Sequence, residues 1–173
     1  MKVLIAENDC STSDKYIRAL KARGHEVTVV NRGEKCLETY SEQLSIVKDT
    51  TLANGHTSPY DAVLLDYILP DIDGLEVAKE ILTLNPRQRI IILSTHASEI
   101  LSQVSDWTKI PVEVLEKSVS ITVLVDTVED VALFELLKKF DLDIGVFKKC
   151  AFSHEQLREL VDILRSIKGN GVI

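Results

Sequence analysis

Five short runs rich in Val, Ile and Leu alternate with amphipathic stretches, and this alternation restricts the fold more than any single motif. The runs are KVLIA (2–6), EVTVV (26–30), AVLL (62–65), RIIILS (89–94) and VEVLE (112–116). Between and after them, residues 12–22, a stretch from about 34, 74–84, 97–106 and a stretch from 120 read as helices. Strands apolar on both sides need cover on both faces, the situation of parallel strands joined by helical crossovers. The expected architecture is α/β: a doubly wound five-stranded parallel sheet with a C-terminal helical extension. Gly24 after the first helix and Pro86 after the third suit helix ends at those points.

At 173 residues the chain has room for one full core and a small appendage, divided at 1–132 and 133–173. A formal net charge of −7 argues against nucleic acid or an anionic membrane as the main partner, since both reward a basic surface. No apolar run approaches the roughly 18 residues of a membrane span, and MKVLIAEND lacks the ordered basic and apolar regions of a signal peptide. A cytoplasmic location is expected. Cys10, Cys36 and Cys150 have neither metal-knuckle spacing nor an even count, so reduced and mostly buried thiols are expected, with Cys10 beside an acidic cluster.

In doubly wound sheets, ligands bind outside the carboxyl ends of the strands, where the strand order reverses. The residues following the strands are Glu7, Asn8 and Asp9, then Asp66, then Ser94, Thr95 and His96, and finally Lys117. Acids, a hydroxyl and a lysine are thus expected on one rim. Clustered carboxylates invite a hard, oxygen-seeking cation such as Mg²⁺, and a lysine with a hydroxyl suits the oxygens of a phosphoryl group.

The segment LLDYILPDIDGLEV, with VLIAENDC, IIILSTH and VEVLEKSVS in this order, resembles the receiver domain of two-component response regulators over roughly residues 1–132. The resemblance implies a flavodoxin-like receiver fold with Asp66 as phosphoryl acceptor, a carboxylate nucleophile that forms an acyl phosphate. It places Glu7 and Asn8 at the family's acidic pair and Ile68 where a backbone carbonyl completes the Mg²⁺ shell around Asp66. Ser94 falls at the hydroxyl that bonds the phosphoryl group, and Lys117 at the lysine that pairs with it. A histidine kinase is the implied donor and a downstream protein the implied recipient. The implied role is a signalling phospho-acceptor with at most self-phosphorylation and self-dephosphorylation, not a turnover enzyme.

The sequence departs from the pattern at several positions. Asn8 is an amide where the pair has a second acid, Ser118 stands where a proline commonly follows the lysine, and Val114 occupies the place of a switching aromatic. The segment 41–60, SEQLSIVKDTTLANGHTSPY, is longer than the family norm. Its first part continues the helix from Glu34 through Leu44, Ile46 and Val47, and Asn54-Gly55 turns the chain, with His56 a solvated loop residue. Asp73-Gly74 reads as a turn and helix cap. The DIDG string is similar to the Asp-x-Asp of haloacid-dehalogenase-like phosphatases, but it follows a proline instead of a strand. His96 is expected beside the site as a polar neighbour. A binding module that works without phosphorylation is the alternative reading, with Asn8 as its cue; a phosphatase with external substrates ranks third.

Beyond residue 132, Ser153 with Gln156 forms a capping box and Phe152 with Leu157 a hydrophobic staple, so a helix from 154 to about 168 is expected. Leu157, Leu160, Val161, Leu164 and Ile167 give it one apolar stripe, to be covered by the preceding helix, the first domain or a second copy in a homodimer. Residues 1–132 carry a net charge of −8 and 133–173 of +1. The extension is too short and too weakly basic for a winged-helix output domain.

Overall fold

The computed structural model describes residues 1–50, 58–100, 112–130 and 163. The chain divides into two compact units, Met1–Val125 and Asp126–Ile173. In the first, the strands are β1 (Lys2–Ala6), β2 (Glu26–Val30), β3 (Ala62–Asp66), β4 (Ile90–Ser94) and β5 (Val112–Glu116). All pair in parallel in the order β2-β1-β3-β4-β5. This is the architecture expected from the alternation of short apolar runs, with the order reversing between β1 and β3.

Helices α1 (Cys10–Ala22), α2 (Gly33–Thr50) and α3 (Gly74–Leu84) follow the first three strands, and α4 (Ile121–Glu129) follows β5. The chain is also helical over 97–100, and the rest of the helix expected at 97–106 lies outside the described residues. Every residue of β3 and β4 is buried. Alternation then divides the sheet between its two faces. Leu4, Ala6, Val63, Leu65, Ile90 and Ile92 form one core with Tyr40 and Leu44 of α2 and Leu75, Ala78 and Ile81 of α3. Val3, Ile5, Leu64 and Ile91 alternate with them and are equally buried. Leu20 of α1 is likewise fully buried.

Local caps set the helix boundaries. Asp9 accepts the Thr12 N–H at 2.7 Å, so α1 begins at Cys10, two residues before the expected start, and Cys10 is exposed instead of buried. Cys36 is buried as expected, and burial pushes its thiol up to about 12; Cys150 lies outside the described residues. At the other end of α1, Gly24 takes φ 81° while its N–H and that of His25 return to Lys21 and Leu20. Asp73 caps α3 through the Glu76 N–H at 2.8 Å, as its place before Gly74 suggested. Asn85 ends that helix just before Pro86.

The long α2–β3 connection is in large part helix, since α2 absorbs residues 41–50. Residues 51–57, with the expected Asn54-Gly55 turn, lie outside the described residues. Ser58 and Tyr60 are held to the body by a buried polar network. Asn85 donates to Ser58 Oγ and to the Tyr40 hydroxyl, Tyr40 donates to Gln88, and Gln88 donates to the carbonyls of Tyr60 and Arg89. Satisfying each of these groups offsets the cost of burying them. The expected C-terminal helix at 154–168 also lies outside the described residues, apart from Ile163, which is helical and exposed.

Candidate functional site

Parallel strands of equal length end on one level, and this brings the rim residues together. Ala6 pairs with Leu65, Asp66 with Leu93 and Ser94 with Glu116, so Glu7, Asp66, Ser94 and Lys117 stand at neighbouring strand ends. Lys117 Nζ lies 2.8 Å from Asp66 Oδ2 and 3.0 Å from Glu7 Oε2. The other carboxylate oxygens are also engaged: Asp66 Oδ1 accepts the Ile68 N–H at 3.1 Å, and Glu7 Oε1 accepts the Asp9 N–H at 3.0 Å. Glu7 and Asp66 are 2% and 6% exposed, whereas Lys117 is half-buried.

Two buried carboxylates on one ammonium leave the cluster one formal negative charge in excess. Burial drives the Glu7 carboxyl above its ordinary range, and the nearby Asp66 charge adds to this, although the Asp9 N–H and Lys117 oppose it. Burial works against the Lys117 ammonium, but its bonds to Asp66 and Glu7 outweigh that and hold its pKa above the usual lysine value.

Ser94 is 3% exposed and Thr95 is exposed, so the buried hydroxyl of the pair belongs to Ser94. Its Oγ accepts the His96 N–H at 3.0 Å, a bond that uses an oxygen lone pair and leaves the hydroxyl hydrogen able to donate. Thr95 is bonded instead to His96 Nδ1 at 3.0 Å. Although Ser118 replaces the usual proline, the Glu116–Val119 turn closes with a 3.1 Å backbone bond and Lys117 still reaches both carboxylates. Val114 is half-buried against the core.

Asn8 is exposed beside Glu7, and the Asp9 carboxylate is engaged as the α1 cap. The Ile68 side chain is 67% exposed, while its backbone is tied to Asp66. Among the described residues no group of three or more His, Cys, Asp or Glu side chains is arranged to hold a metal. The Glu7 and Asp66 carboxylates, brought together at Lys117, are the oxygen donor pair that the structure assembles. It fits a hard divalent cation that takes one or two carboxylates and keeps several waters.

Asp71 is the residue that the sequence hid. Its oxygens accept the Gly33 and Glu34 N–H groups at 2.8 and 2.9 Å, and Arg32 Nε lies 3.6 Å away. It therefore caps α2 from the loop between β3 and α3, a pairing across 38 residues that no local pattern signals. Burial raises the Asp71 carboxyl, but the Glu34, Gly33 and Ile72 N–H groups outweigh it and hold the pKa at about 2, below the ordinary 3.8. A carboxyl depressed in the fold contributes stability above its unfolded pKa and loses it as pH falls through the folded one. Asp71→Ala is therefore expected to cost about 1 kcal/mol at pH 7 in urea unfolding, with the gap to the native protein closing between about pH 4 and pH 2.

The response regulator receiver domain model matches residues 3–129. The chain is similar to the response regulator receiver protein CpdR of Brucella abortus, 25% identical over 128 residues, which span 74% of this chain and 93% of CpdR. It is also similar to part of the transcriptional regulatory protein ZraR of Klebsiella oxytoca, 27% identical over 96 residues, 56% of this chain but 18% of ZraR. Among solved structures, the receiver domain of the histidine kinase CKI1 from Arabidopsis thaliana, complexed with Mg²⁺ and BeF₃⁻, superposes with a TM-score of 0.61. That match is 23% identical and covers 75% of this chain and 88% of the other. A family match across nearly the whole first unit, on a 2-1-3-4-5 sheet with its acids and lysine at the strand ends, leaves one assignment: the chain belongs to the response regulator receiver domain family.

Proposed function

We propose that the chain is a phosphorylatable receiver that takes a phosphoryl group on Asp66 from the phosphohistidine of a histidine kinase. The observation that carries this reading is the buried Asp66 carboxylate held 2.8 Å from Lys117 at the end of β3. An Asp66 oxygen attacks phosphorus as the bond from phosphorus to the donor nitrogen breaks, and the imidazole leaves with the electron pair of that bond. Lys117 pairs with the oxygens of the new acyl phosphate, and the Ser94 hydroxyl donates to one of them.

Glu7, Asp66, the Ile68 carbonyl and the Asn8 amide are the groups that would hold Mg²⁺, the ion that CKI1's receiver domain binds with BeF₃⁻. When bound, that ion supplies positive charge opposite the phosphoryl oxygens. Asn8 supplies a neutral oxygen where the family's pair has a second carboxylate, so affinity for the ion is expected to be modest. The excess negative charge on the Glu7, Asp66 and Lys117 cluster supports binding of a divalent cation all the same.

The signal passes to a downstream protein through residues 1–132 as receiver and 133–173 as extension, in the cytoplasm. The acidic balance of the first part offers no footprint for nucleic acid. Incubation with Mg²⁺ and acetyl phosphate is expected to add one phosphoryl group to the native protein, seen by intact mass, and none to Asp66→Asn. Equal adducts on both proteins would sink the assignment of Asp66. No adduct on either, together with partner binding that Asp66→Asn leaves unchanged, would favour the phosphorylation-independent module for which Asn8 is the cue.

A further inference from the structure

We propose that Asp71 is a positioning residue for the phosphorylation site, fixing the loop after Asp66 against the start of α2 so that the Ile68 backbone is held for the cation. The inference rests on the Mg²⁺-dependent reading of Asp66 given above. The loop from Tyr67 to Asp73 is clamped at both ends. At one end the Gly74 N–H donates to the Tyr67 carbonyl at 2.9 Å, and a Cβ on Gly74 would overlap the Asp66 carbonyl oxygen. At the other end Asp71 takes the Gly33 and Glu34 N–H groups.

The contact with α2 is close as well as polar. A Cβ on Gly33 would lie 2.5 Å from Ile72 Cγ1 and 2.8 Å from Val77 Cγ2, so α2 and the loop meet without a gap. Between the clamps lies Ile68, whose side chain is exposed and whose N–H is bonded to Asp66 Oδ1. Tyr67 and Leu69 on either side of it pack against the core, and the Asp71 bonds add to that packing in fixing the backbone at Ile68. Releasing Asp71 removes the polar tie between the loop and α2 while leaving the bonds among Asp66, Glu7 and Lys117 untouched.

The coupling is reciprocal: whatever Asp71 does for the cation, the cation does for the Asp71–α2 bonds. Mg²⁺ is titrated into the native protein, Asp71→Ala, Asp71→Asn and Tyr40→Phe without phosphodonor, following the Ile68 amide by NMR. Asp71→Ala is expected to weaken Mg²⁺ roughly 5- to 10-fold, the low end of measured couplings, and Asp71→Asn less, since its amide keeps one acceptor oxygen. Tyr40→Phe removes a buried hydroxyl from the network around Gln88, beyond the opposite end of β4, and is expected to lower stability with Mg²⁺ affinity unchanged. In the native protein, Mg²⁺ is expected to slow hydrogen exchange at the Gly33 and Glu34 amides.

Native Mg²⁺ affinity in both Asp71 variants, in samples shown to be folded, would overturn the inference while leaving the proposed function standing. Equal weakening in Tyr40→Phe would overturn it too, by showing only a general loss of stability. Exchange at Gly33 and Glu34 that ignores bound Mg²⁺ would remove the reciprocal coupling and the inference with it. If the native protein itself gives no response at Ile68, the Mg²⁺-dependent reading of Asp66 fails first.

Discussion

Lys117→Met is expected to lose about 2–3 kcal/mol of stability at pH 7 and to slow phosphorylation of Asp66 roughly a hundredfold. The stability loss follows from geometry: Lys117 is the cation within 3.0 Å of both Glu7 and Asp66, and its removal leaves two buried carboxylates facing each other. The figure sits below the cost of breaking a fully buried pair because Lys117 is partly exposed. The loss depends on pH in a direction that can be worked out. Glu7 already holds its proton more tightly than usual in the fold, and without Lys117 it holds it more tightly still. A carboxyl raised in the fold weakens stability as pH climbs from its unfolded value through its folded one. The variant is therefore expected to approach the native protein near pH 4 and to fall away steadily above it, measured by urea unfolding across that range. A constant gap at all pH values would show that Lys117 acts through packing alone.

Gly74→Ala is expected to cost about 2–3 kcal/mol and to abolish most acyl-phosphate formation under conditions where the variant remains folded. Its new Cβ would overlap the Asp66 carbonyl oxygen and crowd the Tyr67 Cα at 3.1 Å. Both obstacles are backbone, so relief requires α3 or the end of β3 to move, and Asp66 moves with it. Gly24→Ala separates this from an ordinary glycine effect. Gly24 has φ 81° and nothing within 4 Å of its ideal Cβ, so alanine there meets only backbone strain of about 1 kcal/mol. Its melting temperature should fall modestly while phosphorylation of folded protein stays at the native rate. Comparable losses of phosphorylation in the two variants would remove the special role of Gly74.

Much of this architecture was legible in the residues because the signals were local. The five apolar runs, the Gly24 end of α1, the Asp73 cap and the extension of α2 through Leu44, Ile46 and Val47 each depend on neighbours within a few positions. The apolar pattern puts the start of α1 at residue 12; the Asp9 cap on the Thr12 N–H moves it to Cys10. Asp66 could be singled out from its place after AVLL. That its carboxylate shares one ammonium with Glu7 is a statement about strand ends more than 50 residues apart in sequence, which only pairing and register bring level.

By itself, then, the sequence determined the alternation of strand and helix and the chemistry available at the rim, since period and residue type are properties of short segments. The tertiary structure decided which of those groups touch. It gave Lys117 two carboxylates to hold, made Asp9 a helix cap and left Asn8 exposed. It also turned Asp71 from a loop acid into the cap of a helix 38 residues away. The physical reason is that hydrogen bonds and ion pairs act over about 3 Å of space and are indifferent to separation along the chain, so their partners are fixed only when the sheet and helices have packed.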